Sequence, residues 1–134
     1  MKVVVIGGGA AGMMFSTQYK KANPSHDVSV FEKTEFVAWA GCPTPYYIAK
    51  ELPRESVVLG TADEFIAKGI DVNINHNVKE INVNEKYINV EGNKISGKVF
   101  YDKLILCLGA KSFVPSIKGY KENLENKKKE EIKK

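Results

Sequence analysis

Three glycines and one carboxylate carry the most specific chemistry in this sequence. Gly7, Gly9 and Gly12 form a Gly-x-Gly-x-x-Gly pattern between an apolar run, Val3 to Ile6, and a helix-compatible run that begins at Ala10. That pattern is the phosphate-binding turn of a dinucleotide fold. Gly7 allows a tight turn out of a strand, Gly9 lets the backbone approach a pyrophosphate, and Gly12 lets a helix pack on the sheet. The opening N–H groups of that helix, at the positive end of its dipole, would face the phosphates. Glu32 stands twenty positions after Gly12, at the end of a second apolar run, Val28 to Phe31. An acid there accepts hydrogen bonds from an adenosine ribose. Strand, turn, helix, strand and acid agree, and together they predict a site for an ADP moiety.

Cys42 is the second candidate. Pro43 and Pro45 suit the first turn of a helix running through Tyr47 and Ile48, which places Cys42 at or just before its N-terminus. A thiolate there is favoured by the dipole and the unpaired N–H groups, which makes it a nucleophile. A small buried hydrophobe is an equal reading of a free cysteine on local sequence. Cys107 lies inside an apolar run, Lys103 to Gly109, and reads as core packing. His26 reads as a solvated turn residue and His76 as a strand-edge residue.

The elements that must position these residues follow from periodicity. A first helix spans Gly12 to Ala22, with Lys20 and Lys21 at the end where cations suit the dipole, and Asn23-Pro24 breaks it. Strand two covers Asp27 to Glu32 and completes a right-handed β-α-β unit. Thr61 to Lys68 reads as a short helix capped by Thr61 and ended by Gly69. From Ile70 to Phe100 the period changes to two. Val78/Ile81/Val83, Tyr87/Ile88/Val90 and Ile95/Val99 give a three-stranded meander with turns at Asn84–Lys86 and Gly92–Asn93. The continuous apolar run 103–109 then has the character of a buried parallel strand.

At 134 residues, with 43% hydrophobic and 27% charged content, the chain has room for one globular domain with a moderate core. No run reaches the roughly eighteen apolar residues of a membrane span, and the first apolar stretch is too short for a signal peptide. Two cysteines are too few for a disulfide framework, so the expected setting is cytoplasmic. The net charge of +4 is modest, and residues 121–134 hold six lysines against four glutamates. Such a mixed run reads as a solvated tail or helix, not as a nucleic-acid surface.

This order of parts resembles the FAD-dependent pyridine nucleotide–disulfide oxidoreductases. The first β-α-β unit, the acid, the meander before the next parallel strand, and the strand end Cys107-Leu108-Gly109-Ala110 carry the resemblance. The family commonly has Ala-Thr-Gly-Ala at that strand end, so Leu108 removes a hydroxyl and keeps the glycine. Phe113 to Gly119 resembles the family's proline-containing exit segment. The implied fold is α/β, a Rossmann-like FAD-binding domain with a parallel sheet and an inserted meander. It would occupy residues 1–119, with a charged tail over 120–134. The implied FAD contacts are Gly7, Gly9, Ala11 and Gly12 at the turn, with Glu32, Lys33, Val78 and Gly109 around it.

Ala40 to Ile48, with no second cysteine five positions after Cys42, resembles the single-cysteine branch. That branch comprises coenzyme A disulfide reductases, NADH oxidases and peroxidases, and persulfide reductases. The resemblance makes Cys42 the redox cysteine, cycling through a mixed disulfide or a sulfenic acid. It implies coenzyme A or another small disulfide as substrate, with Gln18 and Lys21 as candidate contacts. Met14, Ala38 and Gly41 stand where the coenzyme A group often has Thr, Ser and Asn. NAD(P)H would be the electron donor, and the parent family is homodimeric. The 134 residues carry no second Gly-x-Gly-x-x-Gly and no Gly-Asp dipeptide. The expectation is therefore a truncated FAD-binding part, without turnover alone. A nucleotide-binding module serving a partner chain and a nonfunctional remnant are the alternatives.

Overall fold

The computed structural model describes residues 1–110 together with Phe113 and Lys118. Apart from those two positions, the expected exit segment and the charged tail lie outside the described residues. Strand β1 (Lys2–Ile6), helix α1 (Ala10–Ala22) and strand β2 (Asp27–Phe31) form the opening unit. α1 begins two residues before the expected Gly12, since Gly9 already serves as its N-cap. α2 (Thr44–Ile48), a single 3-10 turn (Arg54–Ser56) and α3 (Ala62–Ile66) follow, then β3 (Asp71–Asn73). The meander is β4 (His76–Asn82), β5 (Tyr87–Gly92) and β6 (Gly97–Phe100), and β7 (Lys103–Leu106) comes last.

Four strands make a parallel sheet in the order β3-β2-β1-β7, and the meander is a separate antiparallel sheet. β1 lies between β2 and β7, with Val4 beside Ser29 on one side and Leu104 on the other. Alternation along the strands divides the core. Val5, Val28 and Val30 pack with Met13 of α1, Phe65 of α3 and Ile70. Val4, Ile6 and Phe31 pack with Ile88, Val90 and Tyr101 on the meander side. A strand covered on both faces needs a continuous apolar run, and Val3 to Ile6 are all 6% exposed or less. Each such side chain contributes roughly 1.5–3 kcal/mol of burial.

Local chemistry sets the ends. Thr61 and Glu64 form a reciprocal capping box at α3, each side chain accepting from the other's N–H at 3.3 and 3.0 Å. Gly69, at φ +79°, follows α3 in the left-handed region that glycine adopts without strain.

Several expectations need correction. β3 pairs in parallel with β2 and was not foreseen, because Asp-Val-Asn has too little apolar content to signal a strand. β7 is parallel as expected but not buried. It sits at the edge of the sheet, with Leu104 and Ile105 half-buried and Leu106 56% exposed. The meander's second connection runs through four residues, 93–96, longer than the expected Gly-Asn turn. A bulge between Val78 and Glu80 interrupts the alternation of β4. His76 does begin a strand, but it is 1% exposed. No helix among the described residues is long and apolar enough to cross a membrane.

Candidate functional site

The three fingerprint glycines have different surroundings. Gly7 turns the chain out of β1 at φ +101°, and a Cβ there would overlap the Cys107 carbonyl oxygen. A Cβ on Gly12 would overlap the carbonyl oxygen of Gly7, so α1 rests directly on the turn. A Cβ on Gly9 would meet nothing within 4 Å. Gly9 therefore has open space beside it, in which a phosphate could approach the backbone. α1 has no side-chain cap and no acid in its first turn, so its first N–H groups are left for an anion.

Gly8, which the spacing argument passes over, is closely packed. Its N–H donates to Glu32 Oε2 at 2.8 Å and its carbonyl accepts from the Ala38 N–H at 2.7 Å. A Cβ there would lie 2.9 Å from Val37 Cγ1. The other Glu32 oxygen, Oε1, accepts from the Thr34 N–H at 2.9 Å and the Thr34 hydroxyl at 2.8 Å. Glu32 thus fixes the turn as well as facing the cleft. Oε2, with one donor, retains acceptor capacity toward a ribose hydroxyl, whereas Oε1 already accepts two.

A cavity of about 330 Å³ opens at the C-terminal ends of β1, β2 and β7, where ligands of open α/β sheets bind. It brings together Gly7, Gly9, Glu32, Lys33, Val78 and Gly109. Gly12 is buried beneath the turn, and Ala11 is exposed on α1 without lining the cavity. Cys107 also lines it. It packs against the core as expected, but it follows the end of β7 and is half-exposed, which corrects its placement inside a buried strand. His76 is another lining residue. Its Nδ1 lies 2.7 Å from the Ile74 carbonyl oxygen, and its Nε2 accepts from the Ile95 N–H at 3.0 Å. Nδ1 must therefore carry the proton. His26 is half-buried, with Nδ1 2.9 Å from the Tyr19 hydroxyl, and is less solvated than its turn suggested. A wider hollow of about 780 Å³, lined by Phe36, Arg54 and Glu64 among others, contains none of the expected contacts. Among the described residues no cluster of His, Cys, Asp or Glu could hold a metal ion.

Cys42 is exposed, two positions ahead of α2, whose N-cap is Pro43. That helix is a single five-residue turn, so accessibility is the stronger distinction between the two cysteines. The segment leading to Cys42 is anchored to the glycine turn through Ala38, which is buried and sits at φ +54°. A left-handed alanine costs about 1–2 kcal/mol. The Gly8 carbonyl and the Leu59 N–H, bonded to the Ala38 carbonyl at 3.1 Å, hold it there. Gln18 and Lys21 are exposed on α1, three residues apart and therefore neighbours on the helix surface with Met14. Sequence reasoning missed Gly8, Thr34 and the inward turn of His76. For His76 no local signal existed, since its partner Ile95 is nineteen residues away.

A parallel sheet whose glycine turn opens a helix onto a cleft at the strand ends is a dinucleotide-binding architecture. The sequence pattern of the pyridine nucleotide-disulphide oxidoreductases matches residues 1–133, and the chain belongs to that family. It is 38% identical over 119 residues to the NAD(P)H coenzyme A polysulfide/persulfide reductase of Pyrococcus horikoshii, covering 88% of this chain and 26% of that protein. It is 33% identical over 113 residues to the coenzyme A disulfide reductase of Staphylococcus aureus, covering 81% and 26%. NADH oxidases are among the more distant relatives. The crystal structure of reduced CoADR-RHD from Bacillus anthracis superposes with a TM-score of 0.85 at 30% identity, over 90% of this chain and 22% of that one. The chain spans about a quarter of the length of the curated relatives it matches.

Proposed function

We propose that the chain is the FAD-binding, cysteine-bearing part of a flavin-dependent NAD(P)H oxidoreductase, and that these 134 residues do not turn over alone. The observation that carries the reading is the cleft, in which open space at Gly9, the free start of α1 and the Glu32 carboxylate converge. Its volume suits the ADP half of the cofactor. The turn and the helix N–H groups would hold the pyrophosphate, Glu32 the adenosine ribose, and Val78 and Gly109 the walls of the cleft. FAD held there would supply the two-electron chemistry by which NAD(P)H reduces a mixed disulfide or sulfenic acid formed at one sulfur, breaking its S–S or S–O bond. Cys42 is the more exposed of the two thiols and the one a small disulfide could reach.

The substrate class is a coenzyme A disulfide or persulfide, supported by the higher identity to the reductases than to the oxidases. Oxygen or peroxide as acceptor is the second reading, supported by the NADH oxidases among the relatives. Exposed Gln18 and Lys21 are the candidate contacts for coenzyme A. The cellular setting proposed is cytoplasmic, and the assembled enzyme a homodimer. Calorimetric titration with ADP and FAD tests the core of the proposal. Binding of ADP to folded protein, weakened in Glu32→Ala, is the expected result. No heat with an intact fold would overturn it. Restoration of NAD(P)H turnover by a second polypeptide carrying the remainder of the enzyme would separate an enzyme part from a binding module.

A further inference from the structure

Cys42 is exposed, and a Cβ added to the neighbouring Gly41 would meet nothing within 4 Å. Little therefore packs against this part of the turn. Hydrogen bonds close the turn instead. The Trp39 indole N–H donates to the Thr44 hydroxyl oxygen at 3.0 Å, and the Thr44 hydroxyl donates to the Ala40 carbonyl at 3.0 Å. One hydroxyl thus accepts from one side of the turn and donates to the other, using its single proton. The Thr44 N–H adds a bond to the Gly41 carbonyl at 3.2 Å. These bonds bridge residues 40–44, and Cys42 is the central residue of that span.

The outer end of the clamp is anchored in turn. Trp39 forms a β-bridge with Val58, and the Ala40 N–H donates to the Val57 carbonyl at 2.7 Å. The Trp39 ring packs 6.1 Å from that of Phe36, which carries the Arg54 guanidinium 4.9 Å above it. The indole is held from one side and offers its N–H to the other. A reacting group serves best when side chains behind it lock its geometry.

We infer that Thr44, pinned by Trp39, is the positioning residue that fixes the turn presenting Cys42. The inference rests on the proposal that Cys42 is the working sulfur, but the clamp can be measured without any cofactor. Trp39 is the sole tryptophan of the chain, so its emission reports on this turn alone. A nitroxide attached to Cys42, with its site verified by mass spectrometry, reports how firmly the turn is held. Both are recorded on the full chain, with ADP titrations and thermal melts alongside.

In the native protein and in Thr44→Ser, which keeps the hydroxyl, the nitroxide spectrum should be restricted. In Thr44→Val, which keeps the shape, and Trp39→Phe, which keeps a ring without the N–H, nitroxide mobility should rise at least threefold. In unlabelled Thr44→Val the Trp39 emission should shift as its N–H loses its partner. ADP affinity should stay within twofold in all of them. An unchanged spectrum in Thr44→Val, or Thr44→Ser behaving like Thr44→Val, overturns the inference. Failure of both Thr44→Val and Trp39→Phe to fold would make the clamp a folding contact and would also overturn it. Loss of ADP binding in every protein, native included, would remove the cofactor reading and leave the clamp standing.

Discussion

Gly9 and Gly12 belong to one motif but differ in surroundings, so the same substitution should have different outcomes at the two. Gly9→Ala adds a Cβ in open space at an N-cap with φ −68°. It should melt close to the native protein yet lose most of its affinity for ADP, because the methyl occupies the proposed path of the pyrophosphate. Gly12→Ala drives a Cβ into the Gly7 carbonyl, and overpacking of this kind costs about 1–3 kcal/mol. Paired thermal melts and ADP titrations check both, and equal stability losses would contradict the geometry. Glu32→Ala should weaken ADP binding by about 1.5–3 kcal/mol, the cost of a lost hydrogen bond to a charged group. It should also lower the melting temperature, because the same carboxylate holds Gly8 and Thr34. Glu32→Gln keeps an acceptor and should recover part of the affinity. The backbone roles of Gly7 and Gly12 were legible in the spacing because a fixed turn imposes them locally. The tie from Glu32 to Gly8 was not, since it depends on how two loops fold against each other.

Among the elements, one histidine ties the start of the meander to the connection between β5 and β6. His76 serves both Ile74 and Ile95, packs edge-on 6.2 Å from Phe31, and leaves no room for a side chain at Gly92. His76→Ala should leave a part-buried backbone donor and acceptor without their partner, at up to about 1–3 kcal/mol for each. Urea unfolding measures the total, and amide exchange at Ile95 should quicken beyond the global change. His76→Phe refills the volume without the hydrogen bonds and should recover little. An exchange rate at Ile95 that merely follows global stability would place the loss elsewhere. The meander itself was legible from its two-residue period, whereas β3 offered one apolar residue and β7 looked central because its composition is apolar. That composition records an apolar face, not the number of neighbouring strands. β7 ends before Cys107, which is half-exposed, while the α2 turn leaves Cys42 exposed. Alkylation near neutral pH should therefore modify Cys42 first. Mass spectrometry finding Cys107 modified first in folded protein would remove the physical basis for Cys42 as the working sulfur.

At the scale of the whole molecule, the described cleft is the proposed site of one ADP moiety and the sequence holds one glycine fingerprint. Hydride transfer needs a nicotinamide held against the flavin ring, so a second nucleotide must be bound while the first stays in place. The cavity of about 330 Å³ is lined by residues already assigned to the ADP half of the first. Cys42, for its part, lies in an exposed turn with its own clamp and, as a free thiol, would take up electrons only after a disulfide substrate had oxidised it. The expected outcome is that the purified 134-residue chain consumes no NADH or NADPH when supplied with FAD and a coenzyme A disulfide. Absorbance of the reduced nicotinamide follows the reaction directly. Free flavin reacts slowly with NADH without protein, so the comparison is between the native chain and Glu32→Ala at the same flavin concentration. Equal rates in the two support the proposed division of labour. Steady consumption that requires added FAD and disappears in Glu32→Ala would place a nicotinamide site on these residues and overturn it.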